Sequence, residues 1–168
     1  AVPLNTRLTE EDYRALLSDS AARLVATDTH LAVPFQRLAK SVSFVCAVIV
    51  VDERSALSTS LSGRMAEASN ELTAWPTKPE DIAFWLYTSG STGPPKGVMH
   101  RHQALIHTAV LFGQSVLRVS PEDVTFSAAK MHFAYGLGNA MTFPFYAGAT
   151  SVVTGHRPTA EHIVACLC

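Results

Sequence analysis

The sequence predicts an α/β fold in which a mainly parallel sheet is layered with helices. Apolar runs of strand length, at residues 44–51 and 82–87, are separated by stretches of helical periodicity. Such alternation is typical of parallel strands joined by helices. The chain has 168 residues, of which 48% are hydrophobic, which is enough for a packed core. Neither an internal repeat nor a domain boundary is visible.

The elements of the first half follow from local patterns. Residues 1–5 resemble the end of a strand, and Thr9-x-x-Asp12 is an N-cap pattern that starts a helix running to about Ser18. The elements predicted next are a strand at 23–26, a short helix at 34–40, a buried strand at 44–51 and a polar helix at 58–69. Residues 73–80 contain two prolines and are predicted to form a connection.

The elements of the second half surround a segment rich in glycine. A buried strand at 82–87 leads into this segment, and a helix is predicted to follow it from about His100 to Arg118. The remaining predictions are a turn at 120–123, a strand at 124–128, a helix at 135–146, a strand at 149–153 and a helix at 159–167.

The segment from Tyr87 to Gly97 has the composition of a polyphosphate-binding loop. Its glycines let the main chain approach a ligand closely, its hydroxyls can donate to phosphate oxygens, and its lysine adds a mobile positive charge. A strand, a glycine loop and a helix are also the usual setting for anion capture, whereas the alternative is a surface linker. The residues predicted to bind phosphate are Thr88, Ser89, Gly90, Ser91, Thr92, Gly93 and Lys96.

Other ligand motifs fit the sequence less well. The Walker A loop of a P-loop NTPase or kinase has glycine before its lysine and Ser or Thr after it, but Pro95 and Gly97 stand here. The histidines at 100, 102 and 107 do not converge on one ion if they lie on a helix, so no metal site is predicted. His100 and Arg101 are expected on a solvated helix face, with a charge near bound phosphate as the alternative.

A second stretch, residues 126–139, combines aromatic residues with glycines. Tyr135 and its aromatic neighbours supply flat apolar surface, and Gly136 and Gly138 leave room for a ligand or for a crossing backbone. On the pattern alone, a plain core is the commoner explanation. The spacing of the two glycines is also that of a dinucleotide fingerprint, but Met141 replaces its third glycine.

These two stretches resemble the adenylate-forming, or AMP-binding, superfamily. YTSGSTGPPKG at 87–97 is similar to its phosphate-binding signature, and FSAAKMHFAYGLGN at 126–139 resembles benzoate-CoA and hydroxybenzoate-CoA ligases. The likeness runs nearly end to end and is weakest from about Asp52 to Trp75. Because members of the superfamily are much longer, residues 1–168 are expected to be a fragment of the large N-terminal AMP-binding domain, without the small C-terminal domain.

The resemblance implies an acid-thiol ligase that uses ATP, Mg²⁺ and coenzyme A. An aromatic carboxylate would attack the α-phosphate of ATP, and coenzyme A would then displace AMP from the acyl-adenylate. Lys96, the predicted catalytic residue, would hold the β- and γ-phosphates with the loop, and Ala134, Tyr135 and Gly136 would line the pocket for the acid's ring. The Mg²⁺ ligands would lie outside the chain, so the chain alone is expected to be inactive. The alternative is a non-catalytic nucleotide-binding fragment.

Composition argues against several other classes of partner. A net charge of −1 gives no electrostatic reason to expect nucleic acid or an anionic membrane. The longest apolar run, at 42–51, is far shorter than the roughly 20 residues of a membrane-spanning helix. No secretory signal opens the chain, and its three cysteines lack a Cys-x-x-Cys spacing, so a cytoplasmic protein is expected.

Overall fold

The computed structural model describes residues 1–51, 60–88 and 95–167. The chain falls into two compact units, of which one is Asn5–Pro76 and the other combines Ala1–Leu4 with Thr77–Cys168. Within the described ranges, no helix has both the length and the apolar character that crossing a membrane requires.

The unit Asn5–Pro76 is built around a parallel pair of strands. Its elements are α1 (Glu10–Asp19), β1 (Leu24–Thr27), α2 (Thr29–Ala39), β2 (Ala47–Val50) and α3 (Leu61–Glu67). In the β1–β2 pair, Leu24 lies opposite Ala47 and Thr27 lies opposite Val50. Because α2 connects the two strands, β1, α2 and β2 form a βαβ unit, as the alternation in the sequence predicts.

The first helix begins where the sequence predicts it. The backbone N–H of Thr9 donates to Oδ2 of Asp12 at 3.0 Å, and the backbone N–H of Asp12 donates to Oγ1 of Thr9 at 3.2 Å. These two bonds complete a capping box. The hydrogen bond from the Thr9 hydroxyl is the main reason why the pKa of the Asp12 carboxyl is lowered from its ordinary value. The Tyr13 ring of α1 packs 4.7 Å from the Phe35 ring of α2.

The second helix begins earlier than predicted, at Thr29 rather than at Pro34. Asp28 is its N-cap, and the carboxylate of Asp28 accepts a hydrogen bond from the backbone N–H of Leu31 at 3.1 Å. Proline is commonest in the first turn of a helix, which is why the sequence pattern placed the start at Pro34. Here Pro34 lies inside the helix, whose buried residues Phe35 and Leu38 offset the hydrogen bond that proline cannot form.

The other unit contains two further pairs of strands. Its elements are β3 (Ile82–Thr88), β4 (Lys96–Arg101), α4 (His102–Thr108), β5 (Val124–Phe126), α5 (Ala134–Leu137), α6 (Phe143–Ala147), β6 (Thr150–Val152) and α7 (Ala160–Leu167). β5 and β6 are parallel, with Val124 opposite Thr150. β3 and β4 are antiparallel, with Ile82 opposite Arg101 at one end and Thr88 opposite Lys96 at the other.

Strand β4 corrects the prediction of a helix that begins at His100. A strand with an unpaired edge leaves rows of backbone N–H and C=O groups without partners. Residues 96–101 satisfy one edge of β3, so the helix starts only at His102. Two of the three strand pairs in the described part of the chain are parallel, as predicted, and this hairpin is the exception.

Two predicted helices are interrupted by π-helical turns. The segment Ala109–Gln114 continues α4, and the segment Gly138–Thr142 joins α5 to α6. In the first of these, the N–H of Ser115 donates to the carbonyl of Val110, five residues earlier, at 3.1 Å. Gly148 then closes α6 with a φ of 78°, a left-handed conformation that favours glycine.

The strand predicted at residues 1–5 is not formed. Ala1 alone pairs with β3: its amino group donates to the carbonyl of Ala83 at 3.0 Å, and its carbonyl accepts from the N–H of Trp85 at 2.8 Å. One residue is too short to count as a strand, and no strand is assigned to residues 2–5.

Candidate functional site

The β3–β4 hairpin brings together the two ends of the predicted phosphate-binding loop. Thr88 is the last residue of β3, Lys96 is the first residue of β4, and the two are register partners. Both residues are exposed. Residues directly opposite each other in an antiparallel pair project on the same face, so a hydroxyl and an ammonium group are neighbours at this end of the hairpin.

Lys96 is available to an anion. Among the residues that the structure describes, its ammonium group forms neither a salt bridge nor a hydrogen bond. Within the described ranges, therefore, no residue uses the three N–H donors of this group. The predicted phosphate contacts Ser89, Gly90, Ser91, Thr92 and Gly93 lie outside the described residues, and their roles stay predictions.

The helix that follows the hairpin does not offer its first N–H groups to a phosphate. The N–H of His102 donates to the carbonyl of Asp81 at 3.0 Å, and the N–H of Gln103 donates to the carbonyl of Pro79 at 3.0 Å. These carbonyls satisfy two of the N–H groups that a helix leaves without an internal partner. The predicted arrangement of strand, loop and helix is therefore wrong here, and the hairpin is the element that carries Thr88 and Lys96, two of the side chains predicted to bind phosphate.

The three residues predicted to contact an aromatic ring all lie in α5, but in different surroundings. Ala134 begins the helix and lines a pocket, whereas Tyr135 exposes 70% of its surface. Gly136 is buried, and a Cβ added to it would lie 2.6 Å from the carbonyl oxygen of Ala129 and closer still to that of Lys130. The close approach of these two carbonyls is the backbone contact that the sequence left open for Gly136, and its contact with a ring stays a prediction.

A pocket of about 120 Å³ lies between the hairpin, α4 and the segment from α5 to α6. Most of its lining is apolar. The lining residues are Phe84, Leu86, His100, Ala104, Leu105, Thr108, Ala134, Leu137, Gly138, Thr142 and Phe143. An apolar cavity of about 150 Å³ is known to bind benzene in another protein, so this pocket has the size of a single aromatic ring.

His100 faces this pocket rather than lying on the solvated helix face predicted for it. Its imidazole stacks on the ring of Phe84, with centroids 4.8 Å apart and planes inclined by 6°. The two residues are register partners in the β3–β4 hairpin, so the register of the hairpin sets the stack. Arg101, the next residue, is exposed.

Sequence reasoning missed most of the lining residues because elements distant in sequence form the pocket. Phe84 and Leu86 are two residues apart on a strand, so they project on one face. Ala104 and Thr108 are four residues apart on a helix and also share a face. These two periodicities are the signals that identify such residues once β4 is recognised as a strand.

The turn before α5 is held in place by Lys130. The ammonium group of Lys130 donates to the carbonyls of His156 at 2.7 Å and Thr154 at 3.1 Å, which ties the turn to the segment after β6. Burial, and to a lesser degree the charge of Lys130, lowers the pKa of the His132 imidazole from its ordinary value. Nε2 of His132 is buried and has no hydrogen-bond partner among the described residues.

The fold and both motif segments define one class of protein. The family model described as "AMP-binding enzyme" matches residues 1–167. The chain therefore belongs to the AMP-binding enzyme family, and the family inferred from residues 87–97 and 126–139 is confirmed.

Two similar relatives are CoA ligases named for benzoate and hydroxybenzoate. The chain is 45% identical over 158 residues, 94% of its length, to a benzoate–CoA ligase of Thauera aromatica. It is 41% identical over 162 residues, 96% of its length, to a 4-hydroxybenzoate–CoA/benzoate–CoA ligase of Rhodopseudomonas palustris. Each match covers 30% of the relative, so this chain spans less than a third of the length of either enzyme.

The fold comparison agrees with the sequence comparison. The crystal structure of a benzoate CoA ligase from Burkholderia xenovorans LB400 matches with a TM-score of 0.86 at 38% identity. The match covers 99% of this chain and 32% of that one. The predicted α/β fold, part of an adenylate-forming enzyme, is confirmed.

Proposed function

We propose that the intact protein activates an aromatic carboxylic acid with ATP and transfers the acyl group to coenzyme A. In the first step the carboxylate attacks the α-phosphate, and pyrophosphate leaves. In the second step the thiol of coenzyme A attacks the acyl-adenylate, and AMP leaves. The observation that supports the proposal is that one hairpin presents Lys96 at its tip and also lines a ring-sized pocket with Phe84 and His100.

The tip of the hairpin binds the leaving group in this proposal. Lys96, Thr88 and the loop residues between them hold the β- and γ-phosphates of ATP while pyrophosphate departs. Each charge-assisted hydrogen bond of this kind is worth roughly 1.5–3 kcal/mol. Such phosphoryl chemistry needs positioning and neutralisation of negative charge, which these groups supply. Mg²⁺ is expected to accompany ATP, but no group of three or more His, Cys, Asp or Glu in the described ranges could hold a metal ion, so we assign it no ligands there.

The pocket receives the ring of the acid in this proposal. The small side chain of Ala134 leaves space at the wall of the pocket. We propose its neighbours Tyr135 and Gly136 as further contacts to the ring. Gly136 also allows α5 to lie close to the carbonyls of Ala129 and Lys130. Burying a side chain the size of Phe stabilises by about 1.5–3 kcal/mol, which sets the scale for burying a phenyl ring here.

The spacing along the hairpin suits the reaction. Lys96 and His100 are four residues apart on β4, and an antiparallel strand rises about 3.4 Å per residue, so the tip and the pocket are separated by roughly 14 Å. An aromatic carboxylate and a triphosphate placed end to end span a comparable distance. The carboxylate and the α-phosphate would then meet between the two sites, in the near-attack arrangement that a displacement needs.

The proposal is tested by product analysis with the intact protein. The protein is incubated with ATP, Mg²⁺ and coenzyme A, and with benzoate, hydroxybenzoates, aminobenzoates or aliphatic acids, and the thioester and nucleotide products are identified by mass. We expect aryl-CoA thioesters and AMP with aromatic acids, in a protein of the cytoplasm, where ATP and coenzyme A are available. Release of ADP without a thioester would indicate an NTPase instead. Binding of ATP without turnover would indicate a non-catalytic nucleotide-binding protein.

A further inference from the structure

The polar groups of the pocket are unequal in what they can offer a ligand. Three of the lining residues carry polar side chains: His100, Thr108 and Thr142. The hydroxyl of Thr108 donates to the carbonyl of Ala104 at 2.9 Å, and the hydroxyl of Thr142 donates to the carbonyl of Leu137 at 3.4 Å. Both threonines therefore use their donor within the helical segments to which they belong.

The imidazole of His100 is different. It stacks face to face on Phe84, which fixes the plane of the ring and leaves its edge, with both nitrogens, uncovered by that contact. Neither nitrogen takes part in a hydrogen bond within the described part of the chain, and the side chain as a whole is partly exposed. A neutral imidazole provides one N–H donor and one nitrogen acceptor. Among the described polar side chains of the lining, His100 is thus the one whose donor forms no hydrogen bond to the protein.

We propose that His100 is a specificity-determining residue, which gives the pocket a preference for hydroxyl-substituted aromatic acids over benzoate. The inference rests on the proposed function and names the substrate subclass of the same pocket. A ring hydroxyl hydrogen-bonds to the imidazole edge, whereas the C–H of benzoate leaves that edge without a partner. A site that hydrogen-bonds a substrate hydroxyl discriminates against the analogue that lacks it. Since the pocket is partly open and water can reach it, we expect a preference of roughly 3- to 10-fold, the net worth of one neutral hydrogen bond.

The test compares the acids in the intact protein. The value of kcat/KM for acid-dependent exchange of pyrophosphate into ATP is measured with benzoate and with 2-, 3- and 4-hydroxybenzoate. His100→Phe keeps a ring on Phe84 and removes both nitrogens, whereas His100→Gln keeps a donor and an acceptor. His107→Phe is the matched control, because His107 is exposed on α4 and outside the pocket lining.

We expect the unmodified protein to have a higher kcat/KM with one hydroxybenzoate than with benzoate. His100→Phe should abolish this preference, chiefly by lowering kcat/KM for the hydroxybenzoate. His100→Gln and His107→Phe should retain the preference. An unchanged ratio in His100→Phe, or a preference of the unmodified protein for benzoate over every hydroxybenzoate, would overturn the inference while leaving the proposed function intact. Loss of exchange with all acids in both His100 variants would show a structural role and overturn it too. If no aromatic acid supports exchange in the unmodified protein, the proposed function itself fails.

Discussion

Replacing Gly136 with alanine probes the close packing that positions α5. A Cβ at this position would lie 2.6 Å from the carbonyl oxygen of Ala129, and closer to that of Lys130. Ordinary contact begins at 3.4 Å, so the backbones must separate by at least about 0.8 Å. Main-chain carbonyls cannot rotate away as the end of a flexible side chain can. Overpacking typically costs about 1–3 kcal/mol, and we expect Gly136→Ala to lower the free energy of unfolding by about 3 kcal/mol.

The measurement is urea-induced unfolding of the intact protein, with two other glycines as references. Gly155→Ala is the control, because a Cβ there meets no atom within 4 Å, and a change within about 0.5 kcal/mol is expected. Gly138→Ala should fall between the two, because its Cβ would lie 2.6 Å from the ring of Phe143, which has some freedom to move. If Gly136→Ala unfolds at the same urea concentration as Gly155→Ala, the packing argument for α5 is wrong.

Three further predictions address the two ends of the site and the turn before α5. Lys96→Ala should slow pyrophosphate exchange roughly tenfold or more, because it removes one charge-assisted contact. Lys78→Ala removes an exposed lysine outside the hairpin and should leave the rate unchanged. Equal effects of the two substitutions would argue against a phosphate contact by Lys96. Tyr135→Ala should raise KM for the aromatic acid more than KM for ATP, and equal increases would count against a ring contact. Folding lowers the pKa of the His132 imidazole, so below pH 6.5, the ordinary value of the group, the unfolded chain binds more protons than the folded chain. The contribution of the neutral imidazole to the free energy of unfolding is therefore complete above that pH and is lost as the pH falls below it. His132→Phe should therefore raise the urea midpoint more at pH 5 than at pH 8, and an increase that is the same at both would contradict this account.

Local signals in the sequence were sufficient for the start of α1 and for several strands. The capping box of Thr9 and Asp12 is a contact between residues three apart, and it forms as predicted. The β1–α2–β2 unit follows from apolar runs, whose burial alternates in the structure. The extent of the predicted helix at 135–146 is close to the observed segment from Ala134 to Ala147, which Gly148 ends.

The hairpin was beyond local reasoning, because pairing partners that are distant in sequence decide between a strand and a helix for residues 96–101. The start of α2 was missed for a different reason, because the local cap at Asp28 outweighs the start signal of Pro34. In the candidate site, the phosphate-binding segment and Ala134 came from motifs. Phe84, His100 and Phe143 reach the pocket only through the tertiary fold, so no single stretch of sequence identifies them.

The most direct test of the central claim is exchange of labelled pyrophosphate into ATP by the intact protein in the absence of coenzyme A. This reaction isolates formation of the acyl-adenylate from the later transfer to the thiol. The proposal predicts exchange that requires an aromatic acid and falls to background with aliphatic acids. Exchange that ignores the acid, or label that never enters ATP with any aromatic acid, would contradict it.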